Sequence, residues 1–194
     1  MCIRDRDTLA YIQTVEELSK YCASTGVILS AHTSLCATPI YQFGSEEQKK
    51  KYLPKLCSGE WIGAFALTEP NAGTDASGQQ TVAVDAGDHW VLNGSKIFIT
   101  NAPKADTYVV FAVTTPDIGT RGISAFIVDK GTPGLIIDAE EDKLGMRSSD
   151  THGMTFDDMK LPADALLDKE GMGFKFAMEG LDLSLIHISE PTRP

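Results

Sequence analysis

The sequence predicts an α+β multidomain chain: an N-terminal helical region, a middle antiparallel β-barrel or sandwich domain, and the start of a truncated C-terminal helical domain. Three observations carry this expectation. Apolar residues recur at steps of three to four through the first third of the chain. Short β-branched runs, each bounded by Gly, Pro or Asp, then follow one another with no helix between them. Helical spacing returns after Gly171-Met172-Gly173. The expected boundaries are residues 7–60, 61–162 and 163–183, with 1–6 and 184–194 reading as non-native tails.

Each element has its own warrant. Leu9, Ile12, Val15, Leu18 and Cys22 fall on one helix face, and Gly26 is expected to interrupt that helix. Val27 to Tyr41 is rich in Ser and Ala and suits a closely packed helix, which Pro39 should bend or end. Ser45-Glu46-Glu47-Gln48 is a capping box opening a short helix, with Pro54 and Ser58-Gly59 closing it. Trp61–Leu67 is an apolar run of strand length, and Thr81–Asp85 alternates. Trp90-Val91-Leu92 meets Asn93-Gly94, the strongest short hairpin signal, so Lys96–Thr100 should return as the next strand. Tyr108–Thr114, Ile123–Asp129 and Leu135–Ile137 follow, with Thr155–Phe156 as a weaker last strand before Pro162. A parallel nucleotide-binding sheet would need helices between these strands. Phe174–Leu183 reads as a helix.

Composition narrows the function classes. Hydrophobic residues make up 42% and charged residues 23% of 194, enough to bury a core and too apolar for disorder. No stretch approaches the ~20 apolar residues of a membrane span. The net charge of −10 argues against nucleic acid and anionic lipid as general partners. Cys2, Cys22, Cys36 and Cys57 form no CxxC pair and read as reduced thiols in a cytoplasmic protein. Met1–Arg6 lacks the apolar core of a secretory signal.

The usual catalytic constellations are missing from the sequence. His32, His89, His152 and His187 are scattered, without metal-ligand spacing, so no metal site is expected and each His reads as a surface or packing residue. Gly171-x-Gly173 is too short for a dinucleotide fingerprint and reads as the loop before the last helix. The informative stretch is Phe65–Gly78, a strand running into a turn rich in Thr, Asn, Gly and Asp. Such a turn can turn several amides inward toward a polar or anionic ligand, and it can equally be an ordinary strand-to-loop connection. The second stretch, Asn93–Asn101, alternates Phe98 and Thr100 on one strand face, which is also what a plain half-buried strand does.

Together these stretches resemble the acyl-CoA dehydrogenase family, its short-chain (butyryl-CoA) members most closely. The matching blocks are Tyr41–Lys49, Leu67-Thr-Glu-Pro-Asn-Ala-Gly-Thr-Asp75, Leu92–Asn101, Glu141-Asp-Lys-Leu-Gly-Met-Arg147 and Gly171–Met178, and the likeness runs from about Asp7 to Asp182. The resemblance implies bound FAD. Phe65, Leu67, Thr68, Gly73 and Thr74 would line the flavin, with Thr68 at the pyrimidine side of the ring. Phe98, Ile99 and Thr100 would cover one flavin face, with Thr100 near N5. Thr74 would also touch the acyl-CoA substrate. Family members often carry Trp at the Phe98 position; Phe keeps an apolar ring but no indole donor. The reaction implied is α,β-dehydrogenation of an acyl-CoA thioester. Electrons would pass to an electron-transfer flavoprotein, and the assembly would be a homotetramer.

The resemblance also implies what this sequence does not carry. The family's catalytic glutamate lies beyond residue 182, so no catalytic base is assigned, and Glu179 and Glu190 are not candidates. The chain therefore reads as an interior fragment of a longer enzyme, inactive by itself. Two other readings stay open at this level. One is an inert flavin- or acyl-CoA-binding module. The other is a relative on the same fold, such as an acyl-CoA oxidase or a branched-chain or glutaryl-type dehydrogenase.

Overall fold

The computed structural model describes residues 8–181. The expected tails, with Cys2, His187 and Glu190, lie outside the described residues. Helix α1 (Thr8–Tyr21) ends at Cys22, whose extended backbone (φ −153°, ψ 104°) makes the break. Gly26 was expected to interrupt; instead it sits inside α2 (Ala23–Ser30) and serves packing. A Cβ there would fall 2.0 Å from Ser19 Oγ, so glycine lets α1 and α2 cross closely. The Tyr11 hydroxyl closes the pair by donating to Ser30 Oγ at 3.0 Å.

The second helical segment is not ended by Pro39. A π-helical stretch, Ala31–Ala37, runs straight into α3 (Thr38–Phe43), with Pro39 in its first turn. The missing amide of Pro39 thus falls at the junction where the wide turns give way to α-helix. The widened turns are tied by side chains: Thr38 Oγ1 donates to the Thr33 carbonyl and Ser34 Oγ to that of Ser30. The capping box forms as expected, with Gln48 N–H donating to Ser45 Oγ and Ser45 N–H to Gln48 Oε1, and opens α4 (Glu46–Ser58). Pro54, expected to help close this helix, lies within it on the exposed side. Gly59, at φ +76°, is the stop.

The middle of the chain forms one curled seven-stranded sheet: β1 (Gly63–Ala66), β2 (Val82–Asp85), β3 (His89–Thr100), β4 (Thr107–Val113), β5 (Ile123–Asp129), β6 (Leu135–Glu140) and β7 (Thr151–Pro162). The order is β1-β4-β2-β3-β7-β6, with β5 on β4. Pairing is antiparallel except for β1–β4 and a single β2–β4 bridge, which are parallel. Helices, sheet and the short C-terminal α5 (Gly173–Leu181) follow the expected sequence of parts.

Two local expectations fail in instructive ways. Asn93-Gly94 is not a hairpin turn. It lies inside the 12-residue strand β3, at an irregularity in its pairing with β7. The hairpin joins β2 to β3 instead, at Gly87 (φ +94°), where Ala86 N–H donates to the His89 carbonyl. Gly94 is needed because a Cβ would sit 2.6 Å from Thr81 Oγ1 and 2.7 Å from Thr81 Cα. Asn93 spends its side chain on Asp158 of β7, donating from Nδ2 to Oδ1 and accepting from the Asp158 amide. The weak last strand at Thr155–Phe156 is the centre of β7, which runs for 12 residues.

The sheet buries both faces. Tyr108, Val110 and Ala112 of β4 join Trp90, Leu92, Phe126, Met154 and Phe156 on one side. Val109 and Phe111 join Ile123, Ile127, Cys36, Ile40, Leu56 and Phe176 on the other, beneath the helices. That second layer fixes the helices to the sheet, and the Phe43 and Phe176 rings stack across it at 3.8 Å. His32 adds a polar staple. Its Nδ1 accepts from Gly63 N–H at 2.9 Å, so the proton is on Nε2, which donates to the Leu56 carbonyl at 3.0 Å. Burial pulls its pKa below the ordinary value, against the Leu56 carbonyl, which favours protonation. The described cysteines, Cys22, Cys36 and Cys57, are in the thiol form and not in disulfides. Burial pushes the Cys36 thiol up to about 12, and it packs as an apolar group.

Candidate functional site

The helices, the sheet and α5 enclose a cleft of about 660 Å³, within the ~300–1,000 Å³ typical of small-molecule sites. One wall comes from α2 and the π-helical stretch (Val27, Ser30, Ala31, Leu35), another from α5 (Phe174, Met178, Leu181). The floor is the end of β1 with the loop that follows, and the C-terminal end of β3. All eight residues singled out from the sequence line it: Phe65, Leu67, Thr68, Gly73, Thr74, Phe98, Ile99 and Thr100.

The two stretches reach the cleft by different local devices. The loop leaves β1 and folds into a tight turn in which Glu69 and Ala72 exchange backbone hydrogen bonds at 3.1 and 3.2 Å. It then returns through an Asp75 turn, where Gly78 N–H donates to the Asp75 carbonyl. Phe98 does not share a face with Thr100 by strand alternation. Its backbone is left-handed (φ +59°), within a second pairing irregularity between Lys96 and Ile99. The alternation is broken there, so Phe98, Ile99 and Thr100 border the cleft in succession. Phe98 is 59% exposed, a large ring held in a conformation costly for an L-residue. Asn101, also left-handed (φ +70°) and buried, closes the strand by donating from Nδ2 to the carbonyls of Gly63 and Ile28.

The cleft lining carries several polar donors: the hydroxyls of Thr68, Thr74 and Thr100 and the amides of Gly73 and Thr74. Five polar donors beside apolar Phe65, Leu67, Phe98 and Ile99 suit a flat heteroaromatic ligand with polar edges. The carboxylate on the rim is Asp75, and the Ser77 hydroxyl and amide hold its pKa below the ordinary range. Among the described residues no group of His, Cys, Asp and Glu could hold a metal ion.

Models of the acyl-CoA dehydrogenase N-terminal and middle domains match residues 4–60 and 64–159. The chain belongs to the acyl-CoA dehydrogenase family. It is 59% identical over 183 residues to the short-chain specific acyl-CoA dehydrogenase of Clostridium acetobutylicum, covering 94% of this chain and 48% of that protein. The solved butyryl-CoA dehydrogenase of Megasphaera elsdenii superposes with a TM-score of 0.90 at 55% identity, over 92% of this chain and 47% of that one. A structure from work on the electron-transferring flavoprotein of Acidaminococcus fermentans gives a TM-score of 0.90 at 59% identity, with 92% and 47% covered. The chain thus spans about half the length of the relatives it matches.

In this chain, sequence reasoning missed the group beneath the cleft floor. Lys96 is completely buried, and its ammonium donates to the Leu67 carbonyl (3.1 Å), Glu69 Oε1 (2.7 Å) and Gln79 Oε1 (2.9 Å). Glu69 also accepts the amides of Gln80 and Thr81. Burial alone would raise the Glu69 pKa, but the Lys96 ammonium and those amides outweigh it and hold the carboxyl below its ordinary value. Glu69 and Lys96 both stand in the family-like blocks, 27 residues apart. Nothing in their spacing signals that they touch.

Proposed function

We propose that this chain is the flavin-binding half of an FAD-dependent acyl-CoA dehydrogenase acting on short-chain acyl-CoA thioesters. The convergence of the eight expected residues on one cleft, Thr68, Thr74 and Thr100 among them, carries the reading. The family is one of flavoproteins, and the donor set fits the group. Thr68 and the amides of Gly73 and Thr74 would bind the polar edge of the ring. Phe98 and Ile99 would cover one face and exclude water, and Thr100 would orient the edge nearest the substrate. When bound, FAD supplies the acceptor for the hydride that leaves the substrate β-carbon. Donors placed where negative charge gathers favour that transfer without reorganising. Thr74, on the loop facing α2, would meet the acyl-CoA.

No residue of this chain is assigned the α-proton. We place the base outside residues 8–181. The same reading holds residues 7–60, 61–162 and 163–183 as parts of three domains, the whole as a cytoplasmic homotetramer, and an electron-transfer flavoprotein as acceptor. Among the described residues no helix is long and apolar enough to cross a membrane.

Titration of the 194-residue chain with FAD and with FMN tests the core of this reading. Quenching of flavin fluorescence and a shifted visible band with FAD are expected. Thr68→Val and Thr100→Val should each weaken binding by about 3–10-fold, the worth of one hydrogen bond. Absence of FAD binding, or binding indifferent to both substitutions, would refute it.

A further inference from the structure

The buried cation under the cleft has a role that packing does not account for. Lys96 is two residues before Phe98, on the strand that carries one half of the expected flavin contacts. Its three acceptors all lie on the other half. The Leu67 carbonyl is at the exit from β1, Glu69 in the tight turn, and Gln79 where the loop comes back toward β2. One ammonium therefore ties both ends of the 67–81 loop to β3, with every proton used. Two further bonds run parallel to it: Ile97 N–H donates to the Thr68 carbonyl at 2.9 Å, and Thr81 Oγ1 to the Ser95 carbonyl at 3.3 Å.

The choice of residue is the informative part. A buried ion pair is a poor way to gain stability, because taking both charges out of water offsets most of their attraction. An apolar pair of similar volume would hold the core as well. A three-proton ammonium can grip a carbonyl, a carboxylate and an amide oxygen at once, which an apolar pair cannot do. We propose that Lys96 is a positioning residue for the flavin site, fixing the register of Thr68 and the loop against Phe98–Thr100 on β3. This rests on the flavin-binding reading above. Site elements need support of this kind, since small displacements of binding donors cost affinity even where the fold survives.

The test separates positioning from folding. Lys96→Met alone strands the Glu69 carboxylate in the core and is expected to lower thermal stability. The double variant Lys96→Met/Glu69→Gln removes both charges, keeps an amide oxygen to accept the Gln80 and Thr81 amides, and should melt closer to the unaltered chain than Lys96→Met does. Both are titrated with FAD as the full chain, with the visible flavin spectrum recorded at saturation. Gln79→Leu, which deletes one acceptor and leaves the pair, is measured alongside. The expected result is at least a tenfold loss of FAD affinity and a broadened flavin band in the double variant despite its recovered stability, and a smaller loss of a few-fold for Gln79→Leu. Unaltered affinity and spectrum in the double variant would overturn the proposal and leave Lys96 a structural residue. Should the double variant not fold, unaltered affinity and spectrum in Gln79→Leu would overturn it in the same way. Failure of the unaltered chain to bind FAD would instead remove the flavin reading itself, and this proposal with it.

Discussion

Gly94→Ala is the sharpest probe of how β3 is built. Asn93-Gly94 looks like a hairpin turn, and a turn exposed to solvent would tolerate alanine at little cost. In the fold, a Cβ at residue 94 would stand 2.6, 2.7 and 2.8 Å from Thr81 Oγ1, Cα and Cβ, and two of those three distances are too short to be relieved by rotating a hydroxyl. Thr81 is 1% exposed, held by Glu69 and by the Ser95 carbonyl, so β2 cannot simply step away. The φ of +144° costs an L-residue about 1–3 kcal/mol, and overpacking adds roughly another 1–3 kcal/mol. The sum, about 2–6 kcal/mol, is a large part of the ~5–15 kcal/mol that holds most domains. At about 2–4 °C per kcal/mol for a chain of this size, the melting midpoint should fall by roughly 5–20 °C. Gly87→Ala is the internal control: φ is +94° but nothing lies within 4 Å of the added methyl, so only about 1–2 kcal/mol of backbone strain is expected. Thermal melts followed by circular dichroism measure both. A Gly87 variant less stable than the Gly94 variant would refute the close approach and restore the hairpin at residues 93–94.

Three further outcomes follow from particular contacts. His32 has its pKa lowered from 6.5 by burial, so just below pH 6.5 the folded chain binds fewer protons than the unfolded one; stability is full above that value and falls as pH drops toward the folded pKa, and His32→Gln should flatten this part of the melting-temperature profile. Phe176→Ala removes a ring that is 1% exposed and stacked on Phe43; a loss of about 3–5 kcal/mol is expected from urea melts, and a loss below 1 kcal/mol would mean that α5 is not docked on the helices. Phe98→Gly relieves about 1–2 kcal/mol of left-handed strain against glycine's ~0.5–1 kcal/mol entropic cost; the variant should melt no lower than the unaltered chain yet bind FAD more weakly by titration, and an unchanged affinity would deny the ring a place over the ligand.

The parts of the fold legible in the sequence are those in which local chemistry decides the outcome. The capping box at Ser45–Gln48, the strand Ile123–Asp129 and the Gly171–Gly173 loop are set by residues adjacent in the chain, and each forms where its pattern places it. The misread positions are governed by partners far along the chain. Gly26 looked like a helix breaker, but it answers to Ser19 across a helix crossing. Gly94 looked like a turn, but it answers to Thr81. Strand β7 looked weak because Gly153, Asp157 and Asp158 are poor strand formers; its length comes from pairing with both β3 and β6. The cleft residues were reached through a family likeness, since Thr68, Thr74 and Thr100 carry no periodic signal of their own. Lys96 and Glu69 were in view throughout, but a buried pair 27 residues apart leaves no local mark.

The same contrast explains how the cleft comes to exist. A regular strand would alternate its side chains and offer the cleft every second residue of β3. Two pairing irregularities, at Leu92/Gly94 and Lys96/Ile99, break that rule on either side of Lys96. The first lets β2 approach closely enough for Thr81 to bond the Ser95 carbonyl. The second turns Phe98 outward and brings three consecutive residues to the rim. Between them Lys96 points inward and grips the loop. Remove the first irregularity and Thr81, at the end of the loop, loses its bond to the Ser95 carbonyl of β3. The energetically costly features of β3 are thus the ones that bring the loop and the strand together around the ligand space, as expected where local strain is retained at a functional site.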